Sequence, residues 1–270
     1  MASTAAVRRI DPGRLSVLRV VEYCARVYRR NWRGTLFLTF LSPVLFLTAM
    51  GSGLGSFVDS GQGDPSMIGG VGYAAFLAPG LLAAAGMQTA SFESTYQIMA
   101  RFRWNRVYHA MLATPVEVSS IVVGQLAWIA VRLALVAGVF FGVMVTFGLA
   151  SPSAITAVVA AVLTGLAFAA PIIAFTATQR SDSGFSSIFR FVVTPLYLFS
   201  GTFFPIEQLP GFLQVVALLT PTYHGVALAR DIVLARADLM PSVLHLAVLG
   251  AFIVTGTLAA LVTFQRALRE

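Results

Sequence analysis

The sequence predicts an all-α polytopic membrane protein with six transmembrane helices, an N-terminal interfacial helix, and an outer re-entrant helical hairpin between helices five and six. Three observations carry that prediction. Of 270 residues, 57 % are hydrophobic and only 11 % are charged, whereas a soluble domain is about one quarter charged. The apolar residues are grouped into charge-free blocks, among them Gly34–Val58, Pro65–Phe92 and Leu133–Gln179, and a helical crossing needs roughly 20 such residues. Arginines collect between the blocks.

The leader comes first. Val17, Val20, Val21, Cys24, Val27 and Tyr28 fall on one helical face, with Arg19, Arg26, Arg30 and Arg33 opposite. Such a helix is built to lie in the membrane interface against anionic lipid, with Trp32 as its anchor. Residues 1–35 are therefore read as a leader and interfacial helix, and residues 36–270 as the membrane domain. A cleaved signal peptide is not expected, because the first apolar block follows a long basic segment.

The six spans are placed at Leu36–Phe57, Tyr73–Tyr96, Trp128–Leu149, Ser153–Thr178, Ile188–Phe204 and Ser242–Phe264. With the N-terminus inside, all arginines except Arg132, Arg230 and Arg236 fall on the cytoplasmic side, which sets both direction and an even number of crossings. Pro43, Pro79 and Pro171 predict kinks. Arg132, counted back from the Ser151–Pro152 turn, falls near the start of span three; it either snorkels to the headgroups or pairs with an acid in a cavity. The run Gln208–Ala229 is long enough to cross, but Pro210, Gly211, Pro221 and Gly225 interrupt it, so it reads as a re-entrant hairpin within an outer region at 201–238.

The segment at 97–118 interleaves arginines with aromatic and aliphatic residues, and reads as a cytoplasmic helix with a docking side. Its candidate contact residues are Arg101, Arg103, Trp104, Arg106, Tyr108, Met111 and Leu112. The outer region is marked by Gly201, Phe204, Pro205, Pro210, Pro221 and His224. His109, His224 and His245 read as scattered over different sides or depths.

Several chemistries are excluded. All 18 basic residues are arginine, so no phosphate-loop lysine or Schiff base is possible. Cys24 is the sole cysteine and forms no intramolecular disulfide. The Gly51–Gly55 run lies in an apolar span without a preceding strand, which favours helix packing over nucleotide binding. No catalytic or metal set is legible, and the arginine placement argues for orientation in a membrane rather than nucleic-acid binding.

Met111-Leu112-Ala113-Thr114-Pro115-Val116, Phe199-Ser200-Gly201-Thr202-Phe203-Phe204-Pro205-Ile206-Glu207-Gln208-Leu209-Pro210 and Leu219-Thr220-Pro221-Thr222-Tyr223-His224-Gly225 resemble the permease subunits of type-2 ATP-binding-cassette exporters, particularly the lipooligosaccharide (nodulation factor) and daunorubicin-resistance branch. The resemblance implies a permease in the bacterial inner membrane with both termini cytoplasmic, no catalytic residues of its own, and two separate ATPase subunits that bind ATP and Mg2+. It also implies a second copy or a homologous permease as partner, an amphiphilic cargo, ATPase contact through Val17–Trp32 and Gln97–Val118, and a cargo path along spans one, two and five, with Phe40, Phe46, Met87, Phe191, Tyr197 and Phe199 as candidate cavity residues. One departure is Gln125, where such proteins often carry an acid after the glycine. The competing functions are a non-transporting membrane scaffold and an ATP-independent carrier.

Overall fold

The computed structural model describes residues 12–54 and 70–269, with some side chains of the first helix outside that description. It is all-α in the described residues. Helix α1 (Pro12–Phe46) continues as a π-wound segment, Leu47–Leu54. It shows no break at residue 35, because between Trp32 and Pro43 the chain has no proline to interrupt the helical ladder. The interfacial helix and the start of span one are thus a single element, and the end of that span lies outside the described residues.

Helix α2 (Tyr73–Ser94) is followed by Tyr96–Met99 and a π-wound turn at Ala100–Trp104. Thr95 breaks the ladder with φ −99° and ψ −88°. The break exposes the Ser94 carbonyl, and Thr176 Oγ1 donates to it at 2.8 Å, so a packed neighbour satisfies a group that lipid could not. Short helix α3 (Val107–Leu112) leads into α4 (Val118–Thr146), and a 3-10 turn at Pro152–Thr156 leads into α5 (Ala157–Thr178). Helix α6 (Ser183–Phe199) is apolar but shorter. Helices α7 (Gly211–Leu218) and α8 (Pro221–Val233) form a pair bent by 81°, and α9 (Leu239–Ala267) closes the fold.

Among the described residues, four helical stretches are long and apolar enough to cross a membrane, Tyr73–Trp104, Val118–Thr146, Pro152–Thr178 and Leu239–Ala267, or five if the bent pair is one span. This is a multi-pass membrane protein with a re-entrant-like helix pair. The bend at α7/α8 sits where Thr220–Pro221 stops one helix and starts the next, since proline suits the first helical turn but ends the ladder before it. Span five is shifted: its helix begins at Ser183 and ends at Phe199, where Gly201 takes φ +83°, a left-handed turn that favours glycine.

Small residues bring the helices together. A Cβ on Gly86 of α2 would lie 2.5 Å from the Ala161 carbonyl oxygen of α5, and one on Gly165 would lie 3.0 Å from the Gly86 oxygen. The two backbones therefore touch, the packing that replaces the hydrophobic effect between helices in lipid. Likewise Gly256 of α9 fits against the Pro171 ring of α5, so the proline's disturbance is met by the helix beside it. Gly86→Leu is expected to cost at least about 3 kcal/mol, because the obstacle is backbone that cannot rotate away. The yield of monodisperse protein extracted from membranes measures it, and wild-type yield would refute the contact.

At the end of the bundle that holds the bent pair, Arg230 Nη2 donates to the Gly201 carbonyl at 2.8 Å and Nε to the Phe76 carbonyl at 3.2 Å, with the guanidinium 3.8 Å from the Phe76 ring centroid. Tyr73 OH donates to the Phe203 carbonyl at 3.2 Å. Together they tie the turn after α6 to the start of α2. His224 and His245, read from sequence as scattered, are instead paired across α8 and α9, with Nδ1 atoms 2.8 Å apart. His224 Nε2 faces the Leu218 carbonyl at 2.9 Å, so it carries the hydrogen. The neutral ring's Nδ1 is then the acceptor for Nδ1–H of His245. Sequence spacing could not show this, because the bend brings α8 back against the start of α9.

Candidate functional site: a polar cavity joined to the arginine-rich surface

The principal cavity, about 840 Å3, lies between α1, α2 and α4. One wall runs along the Tyr73–Trp104 stretch, from Ala85, Gln88 and Glu93 on α2 across the break at Thr95 to Gln97 and Arg101. Its α4 wall runs from Trp128 through Arg132 to Val136 and Phe140. The cavity is amphipathic along its length, charged towards Arg101 and apolar towards Phe140.

Arg132 is the fifteenth residue of α4, since that helix begins at Val118. The snorkelling alternative fails and the pairing alternative stands. Its Nε lies 3.1 Å from Glu93 Oε1, with the two side chains 7 % and 12 % exposed, and its guanidinium sits 4.2 Å from the Tyr28 ring centroid. Tyr28 in turn meets Trp128 edge-on at 5.8 Å. Tyr28 therefore forms part of the cavity wall, whereas Arg19, Arg26, Arg30 and Trp32 on the same helix are exposed. The buried face of α1 is seated on α4 at Gly124, where a Cβ would meet Val20 at 2.7 Å.

Below the cavity sits a buried polar hub that sequence reasoning missed as a group. Gln125 is wholly buried. Its Oε1 accepts from Arg101 Nη1 at 2.8 Å, from Tyr108 OH at 3.3 Å and from Cys24 Sγ at 3.7 Å, while its Nε2 is buried without a partner. Four separate segments meet at one amide. The isolated departure at Gln125 was the available signal; its partners lie 17, 24 and 101 residues away.

This burial corrects the reading of the 97–118 segment. Arg101 and Tyr108 face inward and do not present themselves to a partner, because the helix of α2 continues through Trp104 and turns them under α4. Phe102 and Tyr108 stack edge-on at 5.0 Å and both meet Phe264 of α9. Met111 and Leu112 are half-buried against that core. Of the seven residues, Trp104, at 60 % exposed, and Arg106 project outward, and Arg103 is half-buried. Arg106 holds φ +49°, a left-handed conformation rare for a side-chain-bearing residue, and it turns the chain from α2 into α3.

Burial pushes the Tyr108 phenol well above its usual range. A raised acid contributes stability that is complete below the free tyrosine value of about 10 and is lost as pH rises beyond it. Monodispersity in detergent should accordingly fall above about pH 10, and Tyr108→Phe should make that fall smaller; an unchanged profile in the variant would refute it.

The candidate cavity residues do not form one cavity. Met87 is buried in the core and its Sδ accepts from Thr222 Oγ1 at 3.3 Å. Phe46, Phe191 and Phe199 are exposed, Phe40 has its side chain outside the described residues, and Tyr197 packs edge-on against Phe203. Hydropathy marks helical segments but not which face turns inward. Phe204 packs with Ile206 and Leu209, and Pro205, Pro210 and Pro221 each stand at the start of a helical turn. Among the described residues no cluster of three or more metal-ligating side chains occurs.

Comparison with known proteins accounts for this architecture. The ABC-2 type transporter family matches residues 17–234. Nodulation protein J of Rhizobium meliloti (strain 1021) is 35 % identical over 237 residues, covering 84 % of this chain and 87 % of that protein. Nodulation protein J of Rhizobium leguminosarum bv. viciae is 34 % identical over 254 residues, covering 90 % and 93 %, and that of Bradyrhizobium diazoefficiens is 33 % identical over 270 residues, covering 96 % and 99 %. The chain is a membrane permease belonging to the ABC-2 type transporter family.

Proposed function

We propose that this chain is the membrane half of an ATP-driven exporter that moves an amphiphilic lipid or glycolipid from the inner leaflet of a bacterial inner membrane. Six spans with both termini cytoplasmic, a second copy of the chain or a homologous permease, and two ATPase subunits that bind ATP and Mg2+ complete the working unit. The supporting observation is the physical continuity between the turn at 103–106, on which Trp104 and Arg106 are exposed, and the cavity. The same helix that ends at Trp104 carries Glu93 and Arg101 on the cavity wall.

A force applied by an ATPase at that turn is transmitted because α2 and α3 are clamped to α4 by the Gln125 hub. Buried, hydrogen-bonded side chains move together with the helices that carry them. Alternation between states then changes the spacing of α1, α2 and α4 around the cavity, and ATP binding supplies the differential stabilisation of one state. The exposed arginines of α1 add anionic-lipid attraction beside this surface.

Affinity purification of the tagged chain from its native membrane, followed by mass spectrometry, tests the reading. A co-purifying phosphate-loop ATPase is expected. Recovery of the intact, monodisperse chain alone would overturn it in favour of a scaffold or an ATP-independent carrier.

A further inference from the structure

The charges around the cavity do not balance. Two guanidiniums, Arg101 and Arg132, stand on its wall against one carboxylate, Glu93, and Glu93 is engaged by Arg132. Among the described residues no carboxylate lies within ion-pair distance of Arg101, which is 6 % exposed. Its acceptor is the Gln125 amide oxygen, already shared with Tyr108 and Cys24. A buried guanidinium ordinarily requires a full counter-charge. Gln125 Nε2 is a buried donor without a partner beside it.

The opposite end of the cavity is suited to hydrocarbon. Pro43, Val136 and Phe140 line it, and a cleft of about 180 Å3 shares Tyr28, Thr39, Arg132 and Val136 with it and continues to Leu135 and Val139. Leu135 is itself exposed on the flank of α4, so the cleft reaches the lipid-facing side. A cationic ligand would meet Arg101, and a neutral one would leave it uncompensated.

We propose that the cavity binds the anionic headgroup of a membrane-resident amphiphile at Arg101, with its acyl chain along the α1/α4 cleft; this rests on, and narrows, the exporter reading above. The chemistry recognised is a phosphate, sulfate or carboxylate monoanion, to which a guanidinium donates paired hydrogen bonds. Its source is either the cargo or a resident lipid.

Native mass spectrometry of the full chain in maltoside micelles, with phosphatidylglycerol and phosphatidylcholine of identical acyl chains at equal mole fraction, tests this directly. One phosphatidylglycerol should be retained at least about tenfold more than phosphatidylcholine, equivalent to about 1.4 kcal/mol. Gln125→Glu places a carboxylate where the amide oxygen now meets Arg101, and should abolish that preference. Arg190→Gln makes the same change in net charge at an exposed position and should preserve it. Equal retention of the two lipids, or matching losses in the two variants, would overturn the proposal.

Proteoliposomes with the recovered ATPase separate the sources. Stimulation of ATP hydrolysis by lysophosphatidylglycerol, absent in Gln125→Glu, supports the site as a cargo site; unstimulated hydrolysis beside intact selective retention supports it as a resident-lipid site. Failure to recover any ATPase overturns the exporter reading alone, since the retention measurement needs only the permease.

Discussion

Glu93→Ala is expected to destabilise the permease by about 3–5 kcal/mol, the cost of leaving a buried charge without its partner. Glu93 is the carboxylate on the wall that holds Arg101 and Arg132, and it lies 3.1 Å from Arg132 at 12 % side-chain exposure. Its removal leaves two guanidiniums in a partly apolar cavity, with the Tyr28 ring as the remaining attraction on Arg132, an interaction of about 2 kcal/mol that lacks the full counter-charge the carboxylate supplied. Replacing both partners, as Glu93→Ala with Arg132→Met, should restore most of the loss, since a buried pair exchanged for apolar groups is often neutral. Melting in detergent, followed by size-exclusion chromatography, reads both outcomes. A single variant that melts with the wild type would mean that water or lipid headgroups already solvate Arg132, and the account of the cavity as a desolvated site would fall.

Combined substitution of Arg103, Trp104 and Arg106 by alanine is expected to abolish ATPase co-purification and ATP-driven transport while leaving the melting temperature nearly unchanged. Tryptophan and arginine are the residues that dominate protein interfaces, at 2 kcal/mol or more each, and 2 kcal/mol is about 30-fold in affinity. Trp104 and Arg106 are exposed, so their loss within this chain stays near 0.5 kcal/mol. Arg101→Ala makes the instructive comparison. It should lower stability as well as coupling, because Arg101 holds the Gln125 hub from inside. Retention of the ATPase by the triple variant would place the docking surface elsewhere, with the exposed arginines of α1 as the next candidates.

The amino-acid sequence by itself determined the class of the protein. Charge-free blocks of bilayer length have no stable alternative to helices in lipid, since every backbone group must be satisfied within the segment. The interruption between α7 and α8 was legible because Pro210, Gly211, Pro221 and Gly225 fall together in one apolar run, and the bent pair α7/α8 breaks at Pro221, whereas the isolated Pro43, Pro79 and Pro171 lie inside continuous helices. The motifs around Met111, Gly201 and Pro221 carried the family because they are local in the chain.

Tertiary structure decided what depends on which face of each helix turns inward. Span three was placed from Trp128, about one bilayer length back from the Ser151–Pro152 turn, but α4 starts at Val118, and those extra turns move Arg132 from a helix end to its middle. Helices extend past the apolar band when a neighbour covers them, here α1 seated at Gly124. The same covering buries Arg101 and Tyr108, which look like docking residues in sequence, and leaves Trp104 and Arg106 exposed. Gln125 with Arg101, and His224 with His245, are separated by 24 and 21 residues, and no helical period joins them. Polar groups in a membrane pair with whatever donor or acceptor packing brings within 3 Å, so their partners follow from how the helices cross, while the helices themselves follow from composition.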